Sequence, residues 1–158
     1  MKYLCTLIIV CALLRSSSCI RKTKCQVVHA LREQGVPDSD LRNFKIISEQ
    51  KWLCLVQHES NFHYDALNTN SNGSNDYGIF QLNSKYFCDR PQGTASTTCW
   101  RVNTFGCDDS CSSFRDSNIL NDANCAVRIQ RCNGFQKWYG WESHCSDVSG
   151  SAYDYISC

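Results

Sequence analysis

Thirteen cysteines in 158 residues constrain this chain more than any other feature. Cys5, Cys11 and Cys19 lie in an N-terminal stretch with a character of its own. Met1-Lys2-Tyr3 leads there into an apolar run from Leu4 to Leu14, followed by Arg15-Ser16-Ser17-Ser18-Cys19. A basic start, a short apolar segment and small residues before a cut describe a secretory signal peptide. As a membrane anchor the run is too short. Ser17 with Cys19, or Ser16 with Ser18, supplies the small residues of the cut. Cutting after Cys19 leaves ten cysteines, an even number, whereas cutting before it strands an odd thiol. The expected organisation is a leader over 1–19 and one domain over 20–158.

Ten cysteines in a secreted chain of this length imply a disulfide framework and an extracellular destination. No Cys-x-x-Cys pair occurs, which argues against zinc and against a redox motif. The chain carries 16 basic and 15 acidic residues. Without Lys2 and Arg15 the remainder is about neutral, with 14 basic residues against 15 acidic. Long-range capture of anionic polymers is therefore weak, and no basic stripe supports nucleic-acid binding.

Local patterns divide the domain. From Cys25 to Arg32 apolar residues recur at helical spacing, and Gly35-Val36-Pro37 ends the run. A longer link, Pro37 to Ile47, precedes Ser48, which suits an N-cap with Glu49 in the first turn. The helix that follows points Trp52, Leu53, Leu55 and Val56 inward and ends at Glu59. Asn61 to Asn75 is polar and turn-rich, and Asn72-Gly73 is a hairpin signal. Asn72-Gly73-Ser74 is also a glycosylation sequon, read first as an exposed turn. Asp76 opens an alternating segment to Asn83 that reads as a strand. Helical spacing returns with Ala126, Val127 and Ile129, then Phe135, Trp138 and Trp141.

Glu59 and Asp76 therefore meet contrasting surroundings. One carboxyl closes an apolar helix, and the other sits among amide side chains. Environments that push two carboxyl pKa values apart yield an acid and a base from one functional group. Glycoside hydrolysis uses such a pair.

The segment Asp76 to Ser84, DYGIFQLNS, with Glu59-Ser60 ahead of it, resembles the signature of chicken-type (c-type) lysozymes. Cysteine and tryptophan spacing extends the resemblance from Cys25 to Cys158. It implies an α+β fold: a mainly helical lobe, a small antiparallel three-stranded β lobe over roughly 61–108, and a cleft between them. It implies a monomer without cofactor that hydrolyses peptidoglycan between N-acetylmuramic acid and N-acetylglucosamine with retention. Glu59 becomes the general acid and Asp76 the ionised partner, as in the family. Gln81 and Asn83 become amides that fix Asp76 and touch sugar. Tyr86, Phe87 and Trp138 become cleft aromatics, with Trp138 as the wall beside Glu59. Trp52, Trp141 and Phe135 read as core.

The pairing the family implies is Cys25–Cys158, Cys54–Cys145, Cys88–Cys111 and Cys107–Cys125. Cys99 and Cys132 remain, and an even count in an oxidising compartment favours a fifth bridge between them. Some relatives bind calcium in the loop after the Cys-x3-Cys pair. The matching positions are Asp116, Asn121 and Asp122, with carbonyls of Ser113 and Asn118. One carboxylate there is an amide, so a calcium-free helix start with Asp116 as cap is favoured. Three positions depart from the family pattern: Phe87 lacks an indole donor, Lys137 replaces a small residue, and Trp100 has no counterpart. Two other readings stay open, a non-catalytic carbohydrate-binding relative and an enzyme shifted towards chitooligosaccharides. His29, His58, His63 and His144 show no metal spacing and read as surface or partly packed, with His63 placed to tune cleft charge.

Overall fold

The computed structural model describes residues 20–36, 48–89, 107–148, 151–155 and 157–158. Helix α1 spans Lys24–Glu33 and starts with a complete capping box, in which the Thr23 side chain accepts from the Gln26 N–H and Gln26 answers on the Thr23 N–H. Its buried stripe is Val27, Val28, Ala30 and Leu31. Gly35, at φ 71°, takes the left-handed conformation just beyond the helix end. Helix α2 spans Ser48–Ser60. Ser48 is thus its first helical residue, and the capping position falls one residue earlier, outside the described residues. The stretch 37–47, Cys99, Trp100 and the leader over 1–19 also lie outside them.

Three short strands follow: β1 Leu67–Thr69, β2 Asn75–Tyr77 and β3 Leu82–Asn83. They form one antiparallel sheet in the order β1-β2-β3. The β1–β2 hairpin closes at Asn72-Gly73, with Gly73 at φ 81° and the Asn70 N–H donating to the Ser74 carbonyl at 2.8 Å. The single strand expected from Asp76 to Asn83 is instead two strands joined by a tight turn. Gly78 (φ 71°) and Gln81 (φ 49°) reverse the chain, so that Asp76 pairs with Asn83 and Tyr77 with Leu82. Ile79 and Phe80, at the tip of that reversal, are fully buried and anchor it in the core.

A 3-10 turn at Cys111–Arg115, helix α3 at Leu120–Asn133, a second 3-10 turn at Gly134–Lys137 and helix α4 at Tyr139–His144 complete the frame. Trp52 sits at the centre. Phe80, Phe135 and Trp138 meet it edge-on, with ring centroids 5.7, 4.7 and 5.8 Å away. Each such ring contributes about 0.5–1.5 kcal/mol beyond its area burial. Trp141 stacks on Phe135 at 5.4 Å, so these aromatics serve the core.

The bridges Cys25–Cys158, Cys54–Cys145, Cys88–Cys111 and Cys107–Cys125 are formed. The first joins residues 133 apart, a loop whose closure is worth roughly 4–5 kcal/mol in the chain-entropy view. Cys132 is disulfide-bonded too. Its expected partner, Cys99, belongs to the undescribed stretch. No helix among the described residues is long and apolar enough to cross a membrane.

Candidate active site

Glu59 is the penultimate residue of α2, where the helix leaves the core. Buried Trp52, Leu53, Leu55 and Val56 fix the helix, and Ser60 fixes its end. The Ser60 hydroxyl lies 3.1 Å from the Val56 carbonyl and 2.8 Å from the carbonyl of Ile79. The residue next to one acid is thereby tied to the turn that follows the other. Glu59 Oε1 is buried without a hydrogen-bond partner. Loss of hydration raises the carboxyl from 4.5 to about 7. The Gly140 N–H takes back part of that rise, and the negative charge of Asp76 adds to it.

Gly140 leaves room for this carboxyl. A Cβ placed there would stand 2.9 Å from Glu59 Oε1. Trp138 lines the same section of cleft and is only 4% exposed. Its Nε1–H donates to the Phe80 carbonyl at 2.8 Å, which satisfies the indole and locks the ring.

Asp76 lies on β2, opposite Asn83 of β3. The Asn83 amide donates to Asp76 Oδ1 at 2.6 Å, and the Asn70 amide donates to Oδ2 at 2.8 Å. Each Asp76 oxygen thus accepts one amide N–H. Gln81, expected as a second brace on Asp76, does not reach it. Its amide donates to the Gly78 carbonyl at 2.9 Å and stiffens the reversal instead.

One section of the cleft, about 530 Å³, gathers Glu59, Asp76, Gln81, Asn83, Tyr86, Phe87 and Trp138, together with Lys137. Tyr86 is half exposed, whereas Phe87 is 6% exposed and acts chiefly as a floor. A second section, about 770 Å³, shares Glu59, Asn70, Asp76, Gln81 and Tyr139 with the first. Four contributors have no role that the sequence assigns to them. Asn70 is one amide among several in a turn-rich stretch. Ser60 and Gly140 act through distances that only the fold creates. Tyr139, 93% exposed beside Gly140, carries a bare aromatic face where both sections meet.

The calcium positions do not converge on a cation. The Asn121 amide donates to the Ser113 carbonyl at 3.2 Å, which puts an N–H where an ion needs an oxygen. Asp116 Oδ1 accepts from the Asn118 N–H at 2.6 Å in the turn before the helix, but the capping position is Ile119 and has no side-chain cap, so Asp116 is not the helix cap expected. Asp122 is fully buried under the Gly78 turn, and neither of its oxygens has a well-aligned hydrogen-bond partner. Burial first, with the charges of Asp116 and Asp109 adding, raises it to about 8, while the N–H groups of Asp122 and Ile79 pull it back. It is a buried acid packed beneath the turn between β2 and β3. Cys54, His58 and Cys145 come within 4.8 Å of one another, but the two sulfurs are consumed in a disulfide.

Residues 21–158 match the family model described as C-type lysozyme/alpha-lactalbumin family. The chain is 37% identical to the lysozyme of Bombyx mori over 136 residues, covering 86% of this chain and 85% of that one. It is 38% identical to lysozyme c-1 of Anopheles gambiae, covering 78% and 75%. To the milk isozyme of lysozyme C from Canis lupus familiaris it is 37% identical, covering 83% and 93%.

Proposed function

The chain belongs to the C-type lysozyme/alpha-lactalbumin family and is a glycoside hydrolase of the lysozyme type, and from that premise we propose that its substrate is bacterial peptidoglycan. The bond cleaved is the β-1,4 linkage from N-acetylmuramic acid to N-acetylglucosamine. Glu59 gives its proton to the glycosidic oxygen as the C–O bond breaks. Asp76 attacks the anomeric carbon from the opposite face or holds its positive charge. Water, deprotonated by Glu59, then releases the sugar with its configuration retained. Lysozyme is itself the standard case of one shielded acid paired with one solvated carboxylate, and the roles of Glu59 and Asp76 are carried over from it.

One observation carries the reading. Glu59 keeps a proton up to about pH 7 through burial, while both Asp76 oxygens are occupied by amide donors in the same cleft. Presence of both acids speaks against a non-catalytic relative. Phe87, with no N–H to offer a sugar, favours weaker binding at its subsite and keeps chitooligosaccharide turnover in play. Residues 1–19 are inferred to be a secretory leader, supported by a family match that begins at residue 21. Clearing of bacterial-wall suspensions, with Glu59→Gln as control, tests the activity. Wall clearing that survives the substitution refutes the assignment of the acid. Products from chitooligosaccharides report the specificity.

A further inference from the structure

The larger cleft section is rich in histidine. Of the four in the chain, His58, His63 and His144 line it. His58 on α2 lies flat against His144 on α4, with ring centroids 4.2 Å apart and planes within 5°. Both residues are exposed. His63 Nε2 accepts from Arg21 Nε–H at 2.6 Å, so a guanidinium backs the third imidazole. Among the described residues only two carboxyls line this section, Glu59 and Asp76. The Tyr153 hydroxyl, from the 3-10 turn at Ser151–Tyr153, stands 3.5 Å from His58 Nε2. Glu142 shares α4 with His144 but lies two residues away, on another face.

We propose that this half of the cleft is an anion subsite that charges as pH falls and takes the carboxylates peptidoglycan carries on its lactyl ether and peptide stem. The inference rests on peptidoglycan being the substrate. Imidazoles stacked at 4.2 Å repel one another when both carry a proton, which favours an anion placed against them. Burial, and then the neighbouring His144, lower His58 from its ordinary value. A proton on either ring turns this face cationic as pH falls through the imidazole range, where ordinary carboxylates, of pKa about 4, remain ionised. In the same window Glu59 is protonated and repels nothing. A carboxylate bound against the rings favours their charged form, so binding and proton uptake strengthen each other reciprocally. In a domain of near-zero net charge, this local change decides how the cleft greets an acidic substrate.

Calorimetry on Glu59→Gln protein, in which the ligand is not cut, tests this. The probes are a disaccharide-peptide fragment of peptidoglycan with free carboxyls and the same fragment with its carboxyls amidated. The free acid is expected to bind roughly three- to fivefold tighter at about pH 5 than at about pH 7.5, the range of a partly exposed charge pair. Buffers of different ionisation heat should register proton uptake, and the amidated fragment should bind equally at both. Adding His58→Gln and His144→Gln should flatten the response. His144→Arg, charged throughout, should give tight binding at both pH values. Equal pH ratios for the two fragments, or a ratio that survives loss of both histidines, overturn the subsite. Wall lysis with flat binding sinks the subsite and leaves the activity; pH-linked binding without lysis supports the subsite and sinks the activity.

Discussion

Glu59→Gln separates the chemistry of the acid from its cost to the fold. The native carboxyl titrates near 7 against 4.5 in an ordinary setting, with burial as the main cause. Below the lower value both folded and unfolded chains hold the proton, and the group is neutral to stability. As pH rises through the window, the unfolded chain ionises first and is favoured. The folded state loses about 3 kcal/mol by the time pH passes the upper value. The variant cannot ionise and escapes that loss. At roughly 2–4 °C per kcal/mol for a domain of this size, the variant should gain up to about 10 °C on the parent between pH 4.5 and pH 8. Calorimetric melting of both proteins across this range measures the gap. Asp122 titrates in both and cancels. A gap that stays constant with pH refutes the claim that burial holds the proton on Glu59.

The same shift should place the alkaline limb of kcat/KM near pH 7, read from oligosaccharide hydrolysis; a limb near pH 5 contradicts it. Asp76→Asn should lower kcat at least about 100-fold, with little change in affinity for uncleaved oligosaccharide, since its loss falls on the transition state. Gly78→Ala should cost more than about 2 kcal/mol in denaturant melts, because a Cβ would meet the Phe114 carbonyl at 1.9 Å and φ is 71°. Trp138→Phe should cost about 1–3 kcal/mol by stranding the Phe80 carbonyl, and a melting point equal to the parent would show that bond to be idle.

Cysteine spacing and the DYGIFQLNS segment make the fold class and the two acids legible in the chain alone, because covalent frames and motifs are written residue by residue. Geometry that arises from turning is not legible in that way. Alternation from Tyr77 to Asn83 reads the same whether the chain runs straight or reverses, and only the backbone at Gly78 and Gln81 decides. Gln81 therefore braces its own turn, and Asn70, from the preceding hairpin, takes the place beside Asp76. The histidine pair is hidden for a similar reason. His58 follows Gln57 on a helix, and nothing local says that His144 will lie over it. Asp122 matches a calcium position only through the resemblance, and nothing local in the sequence says that the Gly78 turn covers it completely.

The bridge between Cys25 and Cys158 turns the domain into a covalent ring. A protease that cuts one peptide bond inside that ring frees nothing, since every fragment stays linked through sulfur. Two cuts free the piece between them where no bridge joins it to the rest, and the longest span with no cysteine at all is 55–87. That piece contains Glu59, Asp76 and the whole sheet. Its retention depends on contacts such as those of Ser60 and Trp138, so the segment that carries both acids is one that paired nicks can excise.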